Sequence, residues 1–437
     1  MVDSAMQTPE PPRPFSKWNF AANVCDGALF SLALSLVSQQ TLLPVLVKKM
    51  GGNNVAVGLI PVLWTAGFNF PQIFVANFAQ RFDRKKNFVL ITALAQRFPW
   101  LLLAVIVFFL EAVSVQTGLL LFFTAFTLAA ITGSINLPVW FDLVAKITPV
   151  DMRGRLFALR MMLGAVLGVF GGWAVIRVLQ AFTYPESFAL LFALAFGVMM
   201  VSYVFLVLLQ EENGARLVRR QTFKMHVLHL PRILRRERNF RNFLVADALL
   251  IASTMSGAFY AVNALEKFSL TEAYAGTFTI VMTCSMIVGN LFFGYLADRF
   301  GHKINLSLST VFTAAACLIA LFAASIQIYL FVFAAWALAI GLNGVSRLPI
   351  IAEFCPEAER PTYIALTNMV TAPFALAGIA GGWIANRFGY DAVFIIAATL
   401  ASAAAVWLLF MVKEPRRRSG GYAVFQRKDE PQPKSFL

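Results

Sequence analysis

Charge is what this chain has least of. Of its 437 residues only 13% are Asp, Glu, Lys or Arg, about half of the roughly 25% usual in a soluble domain. So few charges cannot solvate a globular surface, which excludes an ordinary water-soluble fold. Histidine is nearly absent. The three present, His226, His229 and His302, fall in loops between apolar runs, so the His and carboxylate clusters of an intramembrane metal or nucleophile site are missing. No enzyme, metal or cofactor is expected. The four cysteines, Cys25, Cys284, Cys317 and Cys355, give no disulfide framework. The N-terminus, with Pro9, Pro11, Pro12 and Pro14 ahead of Trp18, lacks the pattern of a cleaved signal peptide, so the first apolar run is expected to act as the insertion signal. Nothing matches a G-x-x-x-x-G-K-S/T phosphate loop, which leaves an ion or solute gradient as the energy source.

Apolar residues supply the rest: 59% of the chain is hydrophobic. They fall into continuous stretches of about twenty, such as Phe88 to Leu110 and Phe188 to Leu209, long enough to cross a hydrocarbon core of roughly 30 Å. In lipid every peptide group must be bonded within its own segment or a closed barrel. Stretches this long and unalternating are not barrel strands, so they are helices. The fold expected is an all-α membrane protein. Apolar runs stand near 18–46, 54–79, 87–110, 118–145, 156–181 and 187–210, and again near 242–264, 273–297, 305–325, 327–353, 363–387 and 391–412. Twelve transmembrane helices follow, divided as a disordered terminus 1–17, a six-helix bundle 18–210, a basic linker 211–241, a second bundle 242–412 and a tail 413–437.

The formal charge of +14 does not point to nucleic acid, because the basic residues sit in loops and not on one soluble face. Arg81, Arg84, Lys85 and Lys86 share a side with Lys146, Arg153, Arg155, the linker, Arg299, Lys303, Arg360 and the tail. The positive-inside rule makes that side cytoplasmic and puts both termini there, as an even number of spans requires. A cell (inner) membrane location follows as an expectation. The linker, with Arg216, Arg219, Arg220, Arg235 and Arg236 interleaved with Val227, Leu230 and Ile233, reads either as an amphipathic helix on the inner leaflet or as a plain connector.

The two halves resemble each other. Ala79-Gln80-Arg81-Phe82-Asp83-Arg84-Lys85-Lys86-Asn87 aligns with Ala297-Asp298-Arg299-Phe300-Gly301-His302-Lys303-Ile304-Asn305; Leu137-Pro138 with Asp142, Pro149 and Arg153 aligns with Leu348-Pro349 and Glu353, Pro356 and Arg360; and Gly171-Gly172-Trp173 recurs as Gly381-Gly382-Trp383. The stretch Gly294-Tyr295-Leu296-Ala297-Asp298-Arg299-Phe300-Gly301-His302-Lys303 resembles the loop signature of the major facilitator superfamily. The first-half copy departs from it, with Ala76 for the glycine, Gln80 for the acid and Asp83 for the second glycine. The resemblance covers essentially the whole chain. It implies two pseudo-symmetric six-helix bundles around a central cavity, a solute bound near the midplane and alternating access by rocking of the halves. An acid and flanking cations at neighbouring helix mouths can hold a closed state. We expect Asp298, Arg299, Glu353 and Arg360, with Gly294, Gly301 and Lys303, to form one such cytoplasmic network, and Arg81, Asp142 and Arg153 its counterpart.

Ionisable groups inside a span are expensive and default to functional candidates. Asp26 shares a face of the first run with Asn19, Asn23 and Phe30, and Arg97, ahead of Pro99, lies at a similar depth in the third. The two either pair or Arg97 reaches a backbone carbonyl. In the seventh run Ser256, Tyr260 and Asn263 share one face at i, i+4 and i+7; Asp247 lies off it, where interface anchoring is expected. Gln72, Asn136, Asn290, Asn343 and Arg347 complete the candidate substrate and ion groups, as binding residues or as glue between helices. Gly164, Gly168 and Gly172 read as close packing. A secondary transporter follows as the leading expectation: a monomer in the bilayer, coupled to a proton through Asp26 and moving a small molecule. The 43 phenylalanines lean toward an amphipathic solute, and export is one reading. An uptake carrier or uniporter for a sugar or other metabolite, and a non-transporting membrane or lipid-handling protein, are the others.

Overall fold

The computed structural model describes residues 16–69, 71, 85–211, 234, 237–356 and 359–415, and among them every regular element is helical. Gln72, Arg81, most of the basic linker and most of the tail lie outside the described residues. Among the described residues eleven helices are long and apolar enough to cross a membrane, and a shorter apolar helix, second in the chain, brings the number to twelve. In chain order they are α1 (Lys17–Leu36), α2 (Asn54–Asn69), α3 (Lys85–Phe108), α4 (Val115–Ile147), α5 (Val150–Ala181), α6 (Glu186–Val207), α7 (Arg238–Phe268), α8 (Tyr274–Phe300), α9 (His302–Phe322), α10 (Ile326–Glu353), α11 (Thr362–Phe388) and α12 (Tyr390–Met411).

The first apolar run is not one continuous helix. It breaks at 37–41 and restarts as Leu42–Lys49. Pro44 has no N–H to donate and fits the first turn of the restarted helix, where none is required, while Ser38 O accepts from the N–H of both Leu42 and Leu43 at 3.0 Å. Two further spans are interrupted by single turns of 3₁₀ helix, Thr254–Ala258 in α7 and Ala372–Leu376 in α11.

The repeat read in the loops extends to helix packing. In the first half α1 packs on α5 and α6, α3 on α4 and α6, and α2 on α4; in the second α7 packs on α11 and α12, α9 on α10 and α12, and α8 on α10. The helix ends repeat as well. The Asn19 side chain brackets the backbone of Gln210, at 2.8 and 2.9 Å, and Asn239 brackets Lys413 in the same way, at 2.7 and 2.8 Å. The next residue is then a glutamate that meets the start of the third helix of its own half. Glu211 accepts from the N–H groups of Lys85 and Lys86 at 3.2 and 2.8 Å; Glu414 accepts from Lys303 N at 3.2 Å. A carboxylate at a helix N-terminus satisfies donors that the helix leaves open.

The halves meet chiefly through α5 against α8 and α2 against α11. Glycine makes these approaches possible: a Cβ on Gly172 would stand 2.9 Å from Gly276 O, and one on Gly378 would stand 2.5 Å from Gly58 O. Away from the chain termini, at what we call the far end, one buried apolar core runs through both halves. Toward the end that carries the termini the core forks. One branch there draws only on residues between Ala22 and Leu209, the other only on residues between Phe240 and Val412.

Candidate functional site

Asp26 stands nine residues into α1, about 14 Å from its start at 1.5 Å per residue. Three other helices aim polar groups at it. From α6, Ser202 Oγ donates to Asp26 Oδ1 at 2.8 Å. From α5, Arg160 Nη1 reaches Asp26 Oδ2 at 3.2 Å. From α3, Arg97 Nη2 lies 3.8 Å from Oδ1. The expected choice for Arg97 between a carboxylate and a backbone carbonyl resolves as both. Arg97 gives Nε to Met199 O at 2.7 Å, Nη1 to Ala93 O at 2.8 Å and Nη2 to Ser202 Oγ at 3.1 Å, so Ser202 bridges the weak ion pair. At 1% exposure such a guanidinium persists only with its donors satisfied.

Arg160 was not among the residues singled out from the sequence. Its Nη1 also donates to the backbone O and the Oδ1 of Asn23, and its guanidinium lies 4.6 Å from the centroid of Trp140, a cation–π arrangement. The local sequence makes room for it. Gly27 has no side chain where the guanidinium passes, and Gly164 lets α5 close on Ser31 of α1. Asp26, Arg97 and Arg160 line a cavity of about 230 Å³ inside the first half, with Gln96 and Asn136 as further polar groups and Phe30, Trp64, Phe68, Trp100 and Trp140 as aromatic walls. Asn136 is tied into α3, accepting from Thr92 Oγ1 at 2.9 Å and donating to Gln96 Oε1 at 3.2 Å.

The second half holds a different buried pair. Asp247 is no interface anchor: it is 2% exposed, because α7 begins at Arg238 and carries it deeper than the apolar run suggests. Arg347 Nε reaches both of its oxygens at 3.1 Å and Nη2 reaches Oδ2 at 2.9 Å. The remaining donors go to Asn368 Oδ1 at 3.4 Å and Thr371 Oγ1 at 3.3 Å on α11. Ser256, Tyr260 and Asn263 do share a face, and it points into the core of this half. Tyr260 OH donates to Ser256 Oγ at 2.9 Å and contacts Cys317 Sγ at 3.2 Å, and Tyr329 OH donates to Asn263 Oδ1 at 2.8 Å. Asn290 and Asn343 are half-buried.

Among the expected gate residues, Asp142 pairs with Lys85 at 2.6 Å, while Arg153 turns to the carbonyls of Ala145 and Thr148 at 2.6 and 3.2 Å, so those two are not brought together. Arg299 is exposed and donates to Tyr295 OH at 2.7 Å. Asp298 and Arg360 are exposed on α8 and at the foot of α11, and Glu353 lies 3.9 Å from His302 Nε2. Gly294 has open space around it, whereas Gly301 is required twice over. Its φ of +91° suits only glycine, and a Cβ there would strike the Glu414 carboxyl at 2.5 Å.

The far end is tied across the halves. Thr41 Oγ1 and Thr279 Oγ1 share a hydrogen bond at 2.6 Å, Trp336 Nε1 donates to Gln40 Oε1 at 2.5 Å, and Asn54 joins Asn386 and Tyr390 at 3.1 and 2.9 Å. Lys48 and Lys49 pair with Glu266 and Glu272 at 3.3 and 2.5 Å.

This architecture is matched by the family model of the Major Facilitator Superfamily over residues 27–265 and again over 248–433. The chain belongs to the major facilitator superfamily. Its relatives are transporters and not enzymes: the sphingosine-1-phosphate transporter SPNS2 of Danio rerio is 28% identical over 159 residues, covering 35% of this chain and 31% of that one. The cis,cis-muconate transport protein of Acinetobacter baylyi is 27% identical over 173 residues, 39% of this chain and 40% of that one. The matched segments thus span well under half of either relative. The fold agrees over far more, since the nucleoside transporter NupG (D323A mutant) superposes with a TM-score of 0.70 at 13% identity, over 91% of this chain and 99% of that one. The loop signature stands in this fold between α8 and α9, where its second glycine, Gly301, leaves room for the Glu414 carboxyl.

Proposed function

We propose that this facilitator is a secondary transporter that carries a small solute by alternating access, with its halves at 18–210 and 242–412, in the cell membrane with both termini cytoplasmic. The observation that supports the reading is the forked core. One apolar mass closes the far end, while separate cores leave the halves parted toward the termini. That is the geometry of a carrier open to the cytoplasm, if the basic loops face inward as the positive-inside rule holds. Rocking about α5–α8 and α2–α11 would break the far-end ties and close the other mouth.

Asp26 is the proton-linked group of this reading, as a carboxylate at mid-depth beside a cavity. The far-end test is side-specific. In inside-out and right-side-out vesicles, a cysteine introduced at Thr279 should be shielded at rest and should gain access to a membrane-impermeant maleimide from the far side as solute is turned over. Labelling that never changes would end the alternating-access reading. In proteoliposomes with an imposed pH gradient, uptake should follow the gradient and lose that dependence in Asp26→Asn; uptake indifferent to the gradient makes the protein a uniporter or a sodium-linked carrier. The relatives named above transport sphingosine-1-phosphate and cis,cis-muconate, molecules of very different size, which leaves the solute class to the site itself.

A further inference from the structure

The cluster around Asp26 has more donors than acceptors. Two guanidinium groups face one carboxylate there, leaving one positive charge in excess. The two arginines are not alike. Arg97 spends Nε, Nη1 and Nη2 on partners in its own bundle and serves as an anchor. Arg160 commits only Nη1; its Nε and Nη2 donate to none of the described residues. Beside it, Asn23 is fully buried and its Nδ2 has no acceptor. The amide cannot be turned round to cure this, because its Oδ1 is what faces Arg160. A buried donor without an acceptor is costly, and this one lies against Arg160, which carries the surplus positive charge to the wall of the cavity.

We propose that Arg160, assisted by Asn23, is the docking point for an organic acid, whose carboxylate or phosphate oxygens accept from the guanidinium N–H groups while an unsaturated or hydrocarbon body lies along Trp140, Trp64 and Phe30. This rests on the transporter reading and names its solute class. A guanidinium suits such heads because its planar N–H fork matches their oxygens, and the aromatic walls supply apolar area without further charge. The groups that face Asp26 are Arg97, Arg160 and Ser202, with Asn23 against Arg160 and Tyr203 beside Arg97. If Asp26 takes up a proton as the acid's anion replaces it on Arg160, the buried excess charge is the same before and after. Proton and monoanion therefore travel together without changing the buried charge, which would be costly.

The test is a titration of the full-length protein in nanodiscs, read by tryptophan fluorescence and thermal shift, with benzoate, cis,cis-muconate and phenyl phosphate against benzamide as a neutral counterpart. At least one acid should bind tenfold or more tightly than benzamide. Arg160→Gln should lose that acid by tenfold or more and Arg160→Lys should recover part of it. Asn23→Ala, which keeps the arginine, should weaken it several-fold and guards against a misfolded arginine variant. A preference for phenyl phosphate over benzoate assigns a phosphate head and the reverse a carboxylate. Benzamide binding as well as benzoate, an unchanged acid affinity in Arg160→Gln, or no response to any of the three acids overturns the proposal. Far-end maleimide labelling reads the motion separately, so a site that rejects acids in a protein that still alternates overturns the acid assignment alone.

Discussion

The guanidinium of Arg160 crosses α1 directly over Gly27, so closely that a methyl group built on that glycine would meet Cζ and Nε at 2.3 Å. Gly27→Ala therefore has to push Arg160 off Asn23 and Asp26. Overpacking of this kind costs about 1–3 kcal/mol, and the displaced cation loses its partner as well. The expected result is a lowered melting temperature together with loss of solute binding. Gly197→Ala, at a position with open space around it, should leave both unchanged. Equal behaviour of the two variants would show that Arg160 does not depend on the gap at Gly27.

A second prediction separates the two buried carboxylates. Asp247 and Arg347 satisfy each other, so removing one partner strands the other, at a cost of about 3–5 kcal/mol, whereas replacing both by apolar residues of similar size is often neutral. Asp247→Leu should express poorly, and Asp247→Leu with Arg347→Met should recover a well-folded protein by size-exclusion profile and melting temperature. The matching replacement of Asp26 and Arg160 should recover folding and not binding. A double Asp247 and Arg347 variant as unstable as the single one would show that Asn368 and Thr371 depend on the charge.

The spans were legible because peptide groups in lipid leave the chain no alternative to helix, and Asp26 and Arg97 because a charge inside an apolar run stands out. Arg160 did not stand out. It follows Arg153 and Arg155 by one to two turns and reads as the tail of a basic loop, yet α5 begins at Val150 and carries it about 15 Å inward. Asp247 lies deeper than its apolar run suggests for the same reason, since the helix starts at Arg238, outside that run. The stripe Ser256, Tyr260 and Asn263 had the right spacing, but periodicity shows that residues share a face and not which neighbour the face meets. The glutamate clasps leave no sequence signal of their own: Gln210-Glu211 and Lys413-Glu414 merely close the sixth and twelfth runs, and packing alone shows what they hold.

Glu211 gives a prediction with a definite sign. Burial works against its ionised form, but hydrogen bonds from Lys146 and from the backbone of Lys86 and Lys85 outweigh it and hold the carboxyl below its ordinary value of 4.5. A depressed native value means that the contribution to stability is complete above pH 4.5 and is lost as pH falls through the native value. Glu211→Gln should thus lower stability near neutral pH by about 1–3 kcal/mol, the cost of leaving buried donors poorly met. It should also flatten the fall of the melting temperature on acidification. A parent and variant whose melting curves stay parallel across that acid range would remove Glu211 as the clasp.

The repeated Gly-Gly-Trp motif supplies the last prediction. In α5 it puts Gly172 against Gly276 and Ile280 of α8; in α11 it puts Gly382 against the backbone of Asn54 on α2. The two copies therefore serve the two symmetry-related seams between the halves, and both seams lie toward the closed end. A side chain at either glycine has little space: Cβ atoms there would stand 2.6 Å from Ile280 Cγ1 and 2.4 Å from Asn54 O. Strain placed in the closed seam and absent once the seam opens favours the other state. A penalty of about 1–3 kcal/mol shifts the two populations by roughly 5- to 150-fold. With Cys25, Cys284, Cys317 and Cys355 replaced by serine and a cysteine placed at Thr279, Gly172→Val and Gly382→Val should each raise far-side maleimide labelling without solute, and Gly154→Val, in open space, should not. If labelling stays at the parent level while the proteins remain folded, the glycines let the helices approach each other and have no part in holding the far end shut.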